Sequence, residues 1–109
     1  MYYSNERTNL HYFLDSFDDI QELKAIHDSH KSFYNRAYIA WSEKQEFLWL
    51  ISYNTVVAVI DAQGFHRLWD GYSSTTMRHV NEFIRQSGMD GLTAQEWRDL
   101  PVEFRNWWD

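Results

Sequence analysis

Apolar residues recur along this chain with two different periods, and the first change of period falls near Arg36. Before it, "SFDDIQELKAIHDSH" sets Phe17, Ile20, Leu23 and Ile26 three residues apart, one stripe of a helix predicted from Phe17 to His30. Ser16 is its expected N-cap, and the acids that follow suit the positive end of the helix dipole. After Arg36 the period drops to two, and four strand-like runs follow: "RAYIAWS", "EFLWLISY", "VVAVIDA" and "FHRLWD". "SEKQ", "YNT" and "DAQG" separate them, short and polar enough for hairpin connections, so an antiparallel meander is predicted. The second run is apolar on both faces, with Phe47, Trp49 and Ile51 on one side and Leu48 and Leu50 on the other, which calls for cover on both sides of the sheet.

Helical spacing returns at "WDGYSSTTMRHVNEF". With Ser73 as N-cap, Tyr72 and Met77 have the spacing of a hydrophobic staple, and Val80, Phe83 and Ile84 continue the stripe of a helix ending near Gly88. "LTAQEW" carries a fuller signature, with Thr93 as cap, Glu96 reaching back to it, and Leu92 stapled to Trp97. Pro101 then opens a terminal turn on which Phe104 and Trp108 share a side; Trp108 is expected in the core and Trp107 at a subunit or partner contact. Residues 1–109 are thus read as a single α+β domain: an antiparallel three- to four-stranded meander flanked by an N-terminal helix, a packed central helix and short C-terminal helices. Its expected core is Leu23, Ile26, Leu48, Leu50, Val57, Val59, Val80, Phe83 and Ile84.

Composition narrows the function classes. The absence of cysteine excludes a disulfide framework and a thiolate zinc site, and a cytoplasmic setting is expected. No apolar run is long enough to span a bilayer, and the start "MYYSNERTNL" lacks the features of a signal peptide, so no membrane partner is expected. Ten basic against sixteen acidic residues leave a net charge of -6, which opposes general attraction to nucleic acid and suits a partner with a basic surface. Aromatic residues make up 18% of the chain, with six Trp, more than so small an interior readily holds. Trp and Tyr are enriched where protein surfaces meet, so Trp41, Trp69, Trp97 and Trp107 are candidates for a protein interface, with a partner or in a homodimer.

Candidate chemistry is sparse. Ser73, Ser74, Thr75 and Arg78 stand at a helix start, where free N–H groups, hydroxyls and a guanidinium suit an anion; plain capping explains the hydroxyls equally. Arg78 and Glu82 are spaced for an ion pair on the outer helix face. His27 and His30 supply only two ligands, and nothing requires His11, His66 or His79 to join them, so no metal and no cofactor is expected. Ser or Thr beside His79, with Asp61 and Asp70 at strand ends, forms no recognised nucleophile motif, and no catalytic residue is assigned.

At "LISYNTVVAVID" followed by "YSSTTMRHVNEF" the chain resembles a family of small uncharacterised proteins from phages, plasmids and mobile elements of Gram-positive bacteria. The S-Y-N-T and Y-S-x-T-T-x-x-H patterns carry the likeness, which implies a strand pair followed by a helix and brings no catalytic role for Tyr53, Asn54, Tyr72, Thr75, Thr76 or His79. The leading functional expectation is a non-enzymatic protein-binding module of phage or mobile-element type, acting on a host or phage protein. Its sharpest form is an inhibitor of a host nucleic-acid-handling complex, as an anti-CRISPR protein is. The alternatives are an anion- or nucleic-acid-binding protein using Ser73 to Arg78, and a small enzyme of unknown reaction.

Overall fold

The computed structural model describes residues 19–29, 32–43 and 46–103. Five antiparallel strands lie side by side in chain order: β1 (Asp19–Glu22), β2 (Ala37–Ser42), β3 (Phe47–Ser52), β4 (Thr55–Asp61) and β5 (Gly64–Arg67). Two helices follow, α1 (Ser74–Gln86) and α2 (Ala94–Asp99), and the class is α+β as the two periods require. Two of the connections are tight hairpins, each for a reason of its own residues. Between β3 and β4 only Tyr53 and Asn54 turn the chain, both left-handed (φ 51° and 70°), as a two-residue hairpin of matching twist demands. Between β4 and β5, Asp61 Oδ1 accepts from the backbone of Gln63 (2.8 Å) and Gly64 (3.1 Å).

A register shift between Leu50 and Ile51 lets Val57 and Ala58, successive residues of β4, both join the apolar cluster beneath α1. That cluster gathers Leu50, Val57, Met77, Val80, Phe83, Ile84 and Trp97, with Leu23 and Phe33. A second cluster, Ala40, Trp49, Ile51, Val56, Val59 and Leu68, is built from the alternate strand positions, so β3 is indeed buried on both faces. Ser73 caps α1 by accepting from Thr76 N, and Gly88 (φ 86°) follows its C-terminus; at α2 the capping box of Thr93 and Glu96 is complete. Asn81 joins the helices, donating from Nδ2 to Leu92 O and accepting at Oδ1 from Leu92 N.

Three expectations are corrected. Residues 19–22 form strand β1 instead of a helix, paired from Asp19↔Trp41 to Glu22↔Tyr38. The open edge of β2 offers backbone partners that outweigh a local helical pattern, and the predicted stripe is not used: Leu23 is buried, but Ile26 is 67% exposed and leaves the core. Among the described residues the sheet therefore has five strands instead of three or four. Pro101 does not open a helical turn, because Val102 makes a parallel bridge to Arg67 and Glu103 N donates to Arg67 O. Ser16, Phe17, His30, Phe104, Trp107 and Trp108 lie outside the described residues.

Arg67 ties the sheet to everything after it. Its buried guanidinium donates from Nε to Trp69 O (2.8 Å) and from Nη1 to Trp97 O and Leu100 O (both 3.1 Å), while lying 4.6 Å above the Trp97 ring. The indole Nε1 of Trp97 donates to Gly71 O, and Gly71 has no room for a side chain, since a Cβ there would stand 2.4 Å from the Trp69 ring. Arg67→Met, similar in length, leaves these carbonyls without their donor and is expected to cost about 3 kcal/mol in urea denaturation. A loss under about 1 kcal/mol would show that the carbonyls find other partners.

Candidate functional site

The two halves of the sequence pattern around Tyr53 and His79 meet in space. β3 runs beneath α1 so that Ser52, at the strand's last position, lies against the first two turns of the helix. Ser52 Oγ is 2.8 Å from His79 Nδ1 and 3.2 Å from Thr76 Oγ1, all three residues buried. The imidazole is flanked by Phe33, edge-on at 4.7 Å between centroids, and by Tyr53 at 5.6 Å, with the Arg36 guanidinium 5.7 Å above the Tyr53 ring. Burial, opposed only by the negative charge of Asp28, pushes the His79 pKa down to about 4, so the ring is neutral at pH 7.

Above this layer opens a pocket of about 330 Å³, lined by Ser32, Phe33, Tyr34, Arg36, Tyr53, Thr75, Arg78 and His79. It draws on the loop before β2, the β3–β4 hairpin and the start of α1. No acidic side chain is among the described residues that line it. Of the residues expected at an anion site, Thr75 and Arg78 reach the pocket, whereas Ser73 is the cap and Ser74 is exposed without lining it. Arg36, Tyr53 and Tyr34 come from elements far from that helix start in sequence, which is why spacing around Ser73 could not find them.

A further correction concerns α1. Arg78 does not pair with Glu82; its Nη1 donates to Asp28 Oδ1 at 3.0 Å. Glu82 is buried and grips the segment after β1, accepting from His27 N (2.6 Å) and Gln86 Nε2 (2.7 Å), with His27 Nδ1 at 2.8 Å. Burial raises the Glu82 pKa, but these hydrogen bonds outweigh it and hold the carboxyl below its usual range. Thr76, His79 and Glu82 thus form a buried polar line beside the apolar stripe, invisible to a pattern search because partners 24, 27 and 55 residues away complete it.

The other named residues separate. Trp97, expected at an interface, has 0% exposure in the core because Arg67 and Gly71 satisfy it there; Trp69 is half-buried, and Trp41 is 37% exposed on β2. His27 is engaged with Glu82, and no group of three His, Asp or Glu among the described residues is arranged to hold a metal. His66 Nε2 lies 2.8 Å from Asp61 Oδ1 and Nδ1 lies 2.6 Å from Glu103 Oε2, joining β4, β5 and the chain after α2. Burial lowers the His66 pKa, but the two carboxylates more than reverse this, so it stands above 6.5.

The chain belongs to the family of unknown function DUF8033, whose model matches residues 21–99 and so spans both the sheet and the pocket. No curated protein and no solved structure matches it.

The two histidines give opposite pH dependences. His79, depressed when folded, contributes stability above pH 6.5 that is lost on the order of 3 kcal/mol as pH falls through about 4. His66, raised when folded, contributes fully below pH 6.5 and loses its contribution as pH rises through its elevated value. Unfolding free energies measured from pH 5 to 9, above the range where the Glu82 and Asp61 carboxylates contribute, should lose most of their slope below pH 6.5 in His79→Gln and their alkaline slope in His66→Gln. Unchanged slopes in both variants would refute these assignments.

Proposed function

We propose that this chain is a non-enzymatic binding module whose recognition site is the pocket between the β3–β4 hairpin and α1, and that it takes an anion. One observation carries this reading: Arg36 and Arg78 both line the pocket, while no acid is among its described lining residues and the nearby Asp28 is paired with Arg78. In an acidic chain, a cleft of the opposite sign concentrates anions locally, and walls of low dielectric strengthen the attraction. The same net charge of -6 repels a long polyanion, so a compact anion fits better than a nucleic-acid strand. Burial of Ser52 argues against nucleophilic catalysis: it is 2% exposed, outside the pocket lining, and hydrogen-bonded to His79 Nδ1.

The second reading, contact with a host or phage protein through an acidic, aromatic surface, has the exposure of Ile26 and Trp41 in its favour. An anti-CRISPR role is its sharpest form. It has lost Trp97 to the core, which leaves the anion pocket the stronger of the two.

Inorganic phosphate is expected to raise the melting temperature of the wild-type protein in a concentration-dependent, salt-sensitive way, and to shift the NMR resonances of Tyr53 and His79. Arg36→Gln should abolish most of this response and leave the melting temperature without phosphate nearly unchanged, since Arg36 is exposed. A response equal in Arg36→Gln and wild type would defeat the anion reading.

A further inference from the structure

We infer that the anion this pocket takes is borne on a planar aromatic ring, as in an aryl phosphate or an aryl carboxylate. The inference rests on the anion reading and deepens it. Tyr34 and Tyr53 line the pocket with 67% and 43% of their surface exposed. Both stand on left-handed backbone (φ 52° and 51°), a conformation bulky residues resist, and each is held in it by a hydrogen bond: Tyr34 N donates to Ser32 Oγ and, across the strands, Tyr53 N to Arg36 O.

Behind them Phe33 and the neutral imidazole of His79 close the wall with further rings. Partly exposed rings beside a buried aromatic wall offer a flat ligand stacking or edge contacts. Arg36 lies over the Tyr53 ring, so the cation that would take the anion adjoins the surface that would take the ring. No acid is among the described lining residues and the nearby Asp28 carboxylate is engaged with Arg78, so the pocket favours an anionic group over an ammonium. The volume of about 330 Å³ is at the small end of the roughly 300–1,000 Å³ of ligand pockets, enough for a ring and one anionic group but not for a dinucleotide. Asp28, bound to Arg78, is a built-in competitor that a strong anion would have to share or displace.

The test is isothermal titration of the full chain with phenyl phosphate, benzoate, inorganic phosphate and phenol. At least one of phenyl phosphate and benzoate should bind about tenfold or more tighter than both inorganic phosphate and phenol. Which of the two is tighter distinguishes a phosphate from a carboxylate source. Tyr34→Ala, an exposed position, should weaken the aromatic anion about fivefold and leave inorganic phosphate unchanged. Asp28→Asn should tighten both. Inorganic phosphate binding as tightly as the aromatic anions would overturn the inference while leaving the anion reading intact. Phenol binding as tightly would overturn both, as would no binding by any of the four.

Discussion

A buried guanidinium is tolerated only where its N–H groups find acceptors, and Arg67 imposes that condition on the chain from Trp69 to Leu100. It sits on the last strand of the sheet and collects carbonyl oxygens from the β5–α1 connection and from α2 and its exit. The connections before α1 and after α2 contain little regular structure of their own, so a charged donor fork is an efficient way to fix both at once. Trp97 fills the space below the fork, and Gly71 gives way to the Trp69 ring so that its carbonyl can reach the indole. The path of the chain into α1, and hence the helix's position over β3, follows from this arrangement.

With α1 in place, its buried polar line becomes possible. Polar groups under a helix are costly unless paired, and each here has a partner that only the folded sheet delivers. Ser52 reaches His79 because the β3–β4 hairpin ends there, and His27 reaches Glu82 because β1 brings the following segment across the helix. The pocket is a by-product of both contacts. His79, kept neutral by burial, forms its wall, and Asp28, carried on the segment that Glu82 holds, fixes Arg78 at its rim. A charged His79 would add a cation beneath the aromatic rings and disrupt its own burial, which explains why the site's positive character comes from two arginines nearer the surface.

Much of this was legible in the residues. The four runs of period two and their polar turns specify β2 to β5, because alternation and turn chemistry are local properties. Ser73, Thr93, Glu96 and Gly88 specify the ends of the helices for the same reason. The double-sided apolar pattern of β3 predicted burial on both faces, and both clusters are present. What the residues could not reveal depends on distant partners. The stretch from Asp19 to Glu22 has a helical pattern but becomes a strand, since the edge of β2 is a feature of the folded sheet and leaves no mark in the neighbouring sequence.

The site divides the same way. Thr75 and Arg78 were found because a helix start announces itself through hydroxyl caps, but Arg36, Tyr34 and Tyr53 stand in loops whose approach to that helix is set by the hairpin. Glu82 looked like a surface residue for want of any signal that His27 would meet it. Trp97 looked available for a partner, and only the stacking of Arg67 and the carbonyl of Gly71 assigned it to the core. The sequence by itself determined where strands, turns and caps begin, because those are decided by neighbours within about four residues along the chain. The tertiary structure alone decided which polar side chains are buried and which rings remain exposed, because desolvation is compensated by whichever group arrives from elsewhere in the fold.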